Sequence, residues 1–250
     1  MELSARLATF EEIESWRNLY REEMNCQIIH DSIHSRPGWS LEYFLHAGGA
    51  PVGYGSIAVA GPWKDKPTVY EFYVLPNLRS RLFDLFSVLL GACGAKRIDA
   101  QSNDSLLAVM LHTFASDVVS GSILYHDKLA TALAPAEAFF RRANASDEPK
   151  IPDSQVISHG VVEVGRVVAA KGGILFHYNP PYGDIYMEVA EPFRRRGIGS
   201  YLVQELKRVC YELGHVPSAR CNPKNIASRK TLQKAGFVPC GHILTGSVSC

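Results

Sequence analysis

The segment Glu191-Pro192-Phe193-Arg194-Arg195-Arg196-Gly197-Ile198-Gly199-Ser200 decides how this chain is read. It lies between Met187-Glu188-Val189-Ala190, which reads as a strand, and Ser200–Leu213, which has helical spacing. In that helix Leu202, Val203, Leu206, Val209, Cys210 and Leu213 form one apolar stripe, and Gln204, Glu205, Lys207 and Arg208 face away. Gly199 precedes the helix and Gly214 stops it. Gly197 and Gly199 let the backbone turn tightly and approach a ligand closely. The first amides of a helix have no intrahelical acceptor and carry the positive end of its dipole. A strand, a glycine turn and a helix start therefore make a cradle for a phosphate or pyrophosphate.

The three arginines charge this cradle in a chain that is otherwise neutral. Its 250 residues carry 26 Lys and Arg against 25 Asp and Glu, a formal charge of +1. That balance gives no bias toward nucleic acid or an anionic membrane, so neither is expected as a partner. The composition, 46% hydrophobic and 20% charged, is that of one or two globular domains. Cys26, Cys93, Cys210, Cys221, Cys240 and Cys250 form no CxxC pair, and no histidine cluster has metal spacing, so no metal is expected. Sparse thiols fit a reduced, cytoplasmic protein. The first residues, MELSARLATFEEIESW, are charged throughout and unlike a signal peptide, and no apolar run approaches the ~20 residues that span a bilayer.

A weak internal repeat runs through the chain. Ala5–Glu12 resembles Arg141–Glu148, and Glu71-Phe72-Tyr73-Val74-Leu75-Pro76 parallels Met187-Glu188-Val189-Ala190-Glu191-Pro192. A helical stretch follows each proline, Arg81 to Leu90 and Ser200 to Leu213, and then Arg97–Asn103 parallels Pro217–Asn222. Two copies of one α/β unit, 1–134 and 135–250, account for this pattern. The first copy is longer by a helical segment, Phe10 to Cys26, in which Ile13, Trp16, Leu19 and Tyr20 form a core stripe. The second copy runs directly into a meander of Val161–Ala169, Gly173–Tyr178 and Ile185–Ala190, with turns at Gly172-Gly173 and Asn179-Pro180-Pro181. Its strand Phe237–Leu244 falls near the last residue, so this copy is expected to lack a final strand. A helix from Ile226 to Ala235, capped by Asn225 and stopped by Gly236, completes it.

Two common nucleotide motifs fail at the glycine turn. The Walker pattern needs a lysine that Gly197-Ile198-Gly199-Ser200 lacks, and the Rossmann pattern needs a third glycine where Leu202 stands. Arg194, Gly197 and Gly199 instead resemble motif A of the GCN5-related N-acetyltransferase superfamily, Q/R-x-x-G-x-G/A. The partner segment follows at the family's distance, with Asn225-Ile226-Ala227-Ser228 and then Leu232-Gln233-Lys234-Ala235-Gly236-Phe237. The resemblance covers roughly residues 137–245, and the first copy by architecture alone.

That resemblance implies two tandem domains, each a mixed, mostly antiparallel twisted sheet flanked by helices. It implies a strand, Ile185–Ala190, that opens in a V beside Ser218–Asn222 and receives the pantetheine of acetyl-CoA. Val189 and Ala190 would meet the pantetheine, Arg194, Arg195, Arg196, Gly197, Ile198, Gly199 and Ser200 would hold the pyrophosphate, and Asn225 with Ser228 would complete the site. The reaction it implies is acetyl transfer to a primary amine of a small-molecule or peptide acceptor. Such an amine, with a pKa near about 10.4, must first lose a proton. Glu188 is the candidate base, or else a structural carboxylate. Many family members donate a proton to the sulfur from a tyrosine at the position occupied here by Leu232. Either Tyr186, Cys221 or water substitutes or the thiolate leaves unassisted; Tyr186 also reads as a packed strand residue and Cys221 as a buried hydrophobe. Loss of that tyrosine keeps a second reading open, an acyl-CoA-binding sensor without chemistry. In the first copy Arg81 and Phe83 align with Gly197 and Gly199, so that copy is not expected to hold CoA. Its role is then structural, or it helps to form the acceptor site.

Overall fold

The computed structural model describes residues 1–28, 31–144, 147 and 156–249. Ala145, Ser146 and Glu148 of the first repeat pair, and Cys250, lie outside the described residues. The chain forms two compact units: Met1–Gly121 with His242–Cys250, and Ser122–Gly241. The passage from one to the other comes at Ser122 rather than at the expected 134/135, and residues 242–250 belong with the first unit. Among the described residues no helix is long and apolar enough to cross a membrane.

In the first unit the elements are β1 (Leu3–Ala8), α1 (Phe10–Met24), α2 (Asp31–His34), β2 (Ser40–Ala47), β3 (Ala50–Ala58), β4 (Thr68–Val74), α3 (Leu82–Cys93), β5 (Arg97–Gln101), α4 (Ser105–Phe114) and the start of β6 (Ala115–Asp127). The strands β1 to β4 pair antiparallel in sequence order, and β5 joins β4 in parallel. Helix α1 starts at a capping box, Thr9 with Glu12. It buries Ile13, Arg17 and Tyr20, while Leu19 is 43% exposed and leaves the expected stripe. Arg17 takes the inner face because Glu71 of β4 receives it on both oxygens, at 2.8 and 2.7 Å. A buried guanidinium is tolerated only with such pairing.

The second unit continues with the end of β6, then β7 (Ala138–Arg142), β8 (Val156–Val164), β9 (Val167–Leu175), β10 (Tyr182–Val189), α5 (Ile198–Glu212), β11 (Val216–Cys221), α6 (Ile226–Lys234) and the start of β12 (Phe237–Val248). The strands β7 to β10 pair antiparallel, and β11 joins β10 in parallel. The strand order is the same in both units, and so is the treatment of the sixth place. Beside β5 that place is filled by Ile243–Ser247 of β12, and beside β11 by Ile123–His126 of β6. Each copy thus gives its last strand to the other unit. The final strand expected to be missing is present in exchanged form.

The β8–β9 turn falls at Gly165, with φ +64°, and not at Gly172-Gly173. Those two glycines sit inside β9, where side chains do not fit. A Cβ on Gly172 would stand 2.4 Å from the Tyr186 carbonyl, and one on Gly173 3.1 Å from the Tyr186 hydroxyl. Helix α5 buries Leu202, Val203, Leu206, Val209 and Cys210 as expected, and Gly214 terminates it at φ +78°. Two residues depart from the sequence reading. Leu213 is largely exposed, and Lys207 is buried, with its ammonium 2.6 Å from Asp127 and donating to the carbonyls of Leu129 and Ala235.

Candidate functional site

Strands β10 and β11 pair only from Tyr182–Val216 to Ile185–Ala219. Beyond that point Tyr186–Val189 has no partner in β11, so the two strands form a V. On one face of β10 Met187 and Val189 pack toward the core with α5, while Glu188 stands on the other face, 69% exposed. Between the open V, the start of α5 and one side of α6 lies a cleft of about 870 Å³. That is the size of a large small-molecule site, for which the usual range is ~300–1,000 Å³.

The glycine turn builds the floor of this cleft. Arg195 and Gly197 are both left-handed, φ +62° and +82°, and Arg196 stands between them. Left-handed residues in a turn before a helix are a feature of backbone nests, which can take an anion. Gly197 caps α5, and the helix therefore begins at Ile198, so Gly199 lies inside its first turn rather than before it. The first bond returning to the cap runs from Tyr201 N–H to the Gly197 carbonyl at 3.1 Å. The amides of Ile198, Gly199 and Ser200 are then left without intrahelical acceptors. A Cβ on Gly199 would meet Val189 at 3.1 Å and Thr231 at 3.3 Å, so glycine lets the helix start come down onto β10.

The structure brings Glu188, Val189, Arg194, Arg195, Gly197, Ile198, Gly199, Ser200, Asn225 and Ser228 together around this cleft. Tyr186, Ala190 and Arg196 do not line it. Arg196 lies over the Phe193 ring at 5.6 Å. Arg194 holds the turn, with Nε donating to the Val189 carbonyl at 3.1 Å. Ser200 spends its hydroxyl on the Thr231 carbonyl and offers the cleft its amide. Asn225 caps α6 by accepting the Ser228 N–H at 3.0 Å. Besides Met187 and Phe193, four lining residues were not among the expected site residues, all on α6: Ala227, Lys230, Thr231 and Lys234. Their spacing of three, four and seven residues marks one helix face, a signal present in the sequence once the helix is known.

The comparisons with known proteins agree with this geometry. A model of the acetyltransferase (GNAT) family matches residues 128–237. Over these 110 of its 250 residues the chain is similar to the GNAT family. Among solved structures, a GNAT-family acetyltransferase from Colwellia psychrerythraea is similar over 100% of both chains, with TM-score 0.75 and 13% identity. A tandem GNAT protein from the clavulanic acid biosynthesis pathway matches over 100% of this chain and 99% of its own, with TM-score 0.64 and 15% identity. A GCN5-related N-acetyltransferase from Sphaerobacter thermophilus matches over 99% and 96%, with TM-score 0.59 and 14% identity. At such identities the likeness is one of fold. No curated protein sequence matches the chain significantly.

The second unit has Leu232 buried in its core at 3% exposure, so no hydroxyl stands at that position of α6. Cys221 lies beneath the helix with Sγ 3.7 Å from the Tyr125 hydroxyl, and neither residue lines the cleft. Tyr186 crosses the β9 glycines, and its hydroxyl lies 3.1 Å from Nδ1 of His159 on β8, on the side away from β11. Burial raises its phenol above the usual range. Tyr186, His159, Lys171 and Glu188 line a second, smaller pocket of about 140 Å³. Glu188 thus borders both cavities. Its contact with Lys171, 3.8 Å between two exposed side chains, is worth little and does not fix the carboxylate.

Two parallel strands of the first unit part in the same way. Strands β4 and β5 pair only at Thr68–Arg97 and Val69–Ile98. Phe72 of β4 and Leu85 and Phe86 of α3 are fully buried in the core, with the rings of Phe72 and Phe86 edge to face at 4.8 Å. Arg79 donates Nε to the Val74 carbonyl at 3.0 Å, as Arg194 does to Val189. Pro76 and Glu191 each open a 3₁₀ turn, so on the strand side Pro76 answers to Glu191 rather than to Pro192. On the helix side Arg81 caps α3 as Gly197 caps α5, and the pairing of Arg81 and Phe83 with Gly197 and Gly199 holds. The shift by one arises because Leu75–Arg81 is one residue shorter than Ala190–Gly197. That residue is missing from the nest, and no residue of Leu75–Arg81 is left-handed.

Proposed function

We propose that the second unit binds acetyl-CoA and transfers its acetyl group to a primary amine. The observation that carries this reading is the position of Glu188, which borders both the large cleft and the small pocket beside it. The cleft fits the coenzyme on three counts. It ends in a nest of unpaired amides, it is lined by four cations against one carboxylate, and β10 leaves Tyr186–Val189 without a strand neighbour on its β11 side. In this reading the amides of Ile198, Gly199 and Ser200, with Arg195, hold the pyrophosphate, and the free edge of β10 at Val189 and Ala190 receives the pantetheine. When bound, the coenzyme supplies an acyl group activated as a thioester. Glu188 takes a proton from the amine, directly or through water, and its exposure lets it turn toward either cavity. Tyr186, held by His159, shapes the acceptor side.

The second reading, a coenzyme-binding sensor, draws on one observation, the buried Leu232 in place of a proton donor. One measurement separates the two. The protein is incubated with acetyl-CoA and a panel of amines, and free thiol is followed. Release above background that falls at least tenfold in Glu188→Gln, with CoA affinity unchanged by calorimetry, supports transfer. CoA binding without release across the panel supports the sensor. Gly197→Trp, placed at a left-handed position, abolishes binding under both readings, and retained binding refutes the cleft as the coenzyme site.

A further inference from the structure

The cleft holds more positive charge than a pyrophosphate at a helix start requires. Arg195 stands in the nest, and the unpaired amides of α5 surround the same point. Lys230 and Lys234 add two further cations from α6. They share one helix face with Ala227 and Thr231, and that face is turned to the start of α5. Thr231 lies 3.3 Å from where a Gly199 Cβ would stand, and Lys234 Nζ lies 3.6 Å from where a Gly197 Cβ would stand. Both lysines are exposed, and among the described residues neither takes part in an ion pair. Glu188, the carboxylate of the cleft lining, sits on β10 rather than on α6. Lys234, in the last turn, suits the helix dipole by itself, but Lys230 lies mid-helix, where the dipole gives no such reason.

Two mobile ammonium groups a turn apart suit a phosphate monoester, which carries about −1.5 to −2 near neutral pH. Each phosphate of a pyrophosphate diester carries about one charge, and the nest with Arg195 already meets it. We propose that Lys230 and Lys234 hold the 3′-phosphate of the coenzyme's ribose, so that this cleft selects CoA over 3′-dephospho-CoA. The inference rests on the coenzyme reading above and extends it to the choice between two nucleotides of the same thiol chemistry.

The test is calorimetric titration of the full chain with CoA and with 3′-dephospho-CoA at low ionic strength. Wild type, Lys230→Gln, Lys234→Gln, the double variant, and Lys224→Gln as an exposed-charge control are compared. Wild type is expected to bind CoA at least tenfold more tightly than the dephospho form. The double variant is expected to bind both alike, at the wild-type affinity for the dephospho form, while Lys224→Gln keeps the discrimination. Equal wild-type affinities overturn this inference and leave the coenzyme reading standing. Equal losses for both ligands in the double variant also overturn it, because the lysines would then serve the pyrophosphate. Failure of both ligands to bind wild type overturns the coenzyme reading and this inference with it.

Discussion

Replacing Lys207 by methionine keeps the length of the side chain and removes an ammonium that the second unit has enclosed. The lysine and Asp127 are 6% and 8% exposed and 2.6 Å apart, and the ammonium also donates to the carbonyls of Leu129 and Ala235 at 2.9 and 2.7 Å. Breaking one partner out of a buried pair costs ~3–5 kcal/mol, because the remaining charge is stranded. Asp127 keeps one donor, the Tyr211 hydroxyl at 3.0 Å, which points to the lower end, about 3 kcal/mol. With a urea slope of about 2 kcal/mol per molar, the midpoint of the second unit falls by roughly 1.5 M. The tryptophans Trp16, Trp39 and Trp63 all lie in the first unit, so their emission reports that unit. The transition of the second unit is read by tyrosine emission and by loss of CoA binding. Asp127→Asn with Lys207→Met removes the stranded charge and is expected to recover most of the loss. A fall below about 0.3 M in the single variant would refute the argument, because it would mean that Lys207 is solvated as a helix-face residue.

Gly199→Val places a branched side chain where even a Cβ stands 3.1 Å from Val189, so the start of α5 is pushed away from β10. CoA affinity is expected to fall at least tenfold by calorimetry while the tryptophan transition of the first unit is unchanged; wild-type affinity sinks the close-approach argument. Asp104, buried at the start of α4, has its carboxyl pushed up to about 6 by burial, against about 3.9 in the unfolded chain. The folded state therefore holds the proton more tightly, and its stabilising contribution is full below pH ~4 and lost as pH rises through 6, on the order of 3 kcal/mol. The tryptophan-monitored urea midpoint is expected to drop between pH 4.5 and 7, and Asp104→Asn, which still caps the helix, is expected to flatten that drop. An equal slope in the variant counts against the assignment.

What the sequence disclosed about this fold was local. Helix α5 announced itself by its apolar period and by Gly214, and α6 by Asn225 and Gly236, because caps and stripes are properties of neighbours in the chain. At the glycine turn Gly197, Gly199 and the three arginines were legible, but not the left-handed Arg195 or the place of Gly199 inside the helix. Features chosen at long range were not. Arg17 and Lys207 look like solvated charges until Glu71 and Asp127, far away in sequence, come to meet them. Gly172-Gly173 looks like a turn until the ring of Tyr186 is laid across it. The α6 face with Lys230 and Lys234 lay between, readable from its spacing but without meaning until the cleft gave it a direction.

The exchange of strands makes the two copies of the repeat depend on one another. Here the place beside β11 belongs to Ile123–His126, encoded next to the first copy, and the place beside β5 belongs to Ile243–Ser247, encoded at the far side of the second. Each copy is the donor of a part that the other cannot make. A cut at the sequence repeat, after residue 134, would therefore take Ile123–His126 from the sheet that carries the cleft, whereas a cut before Ser122 would keep it.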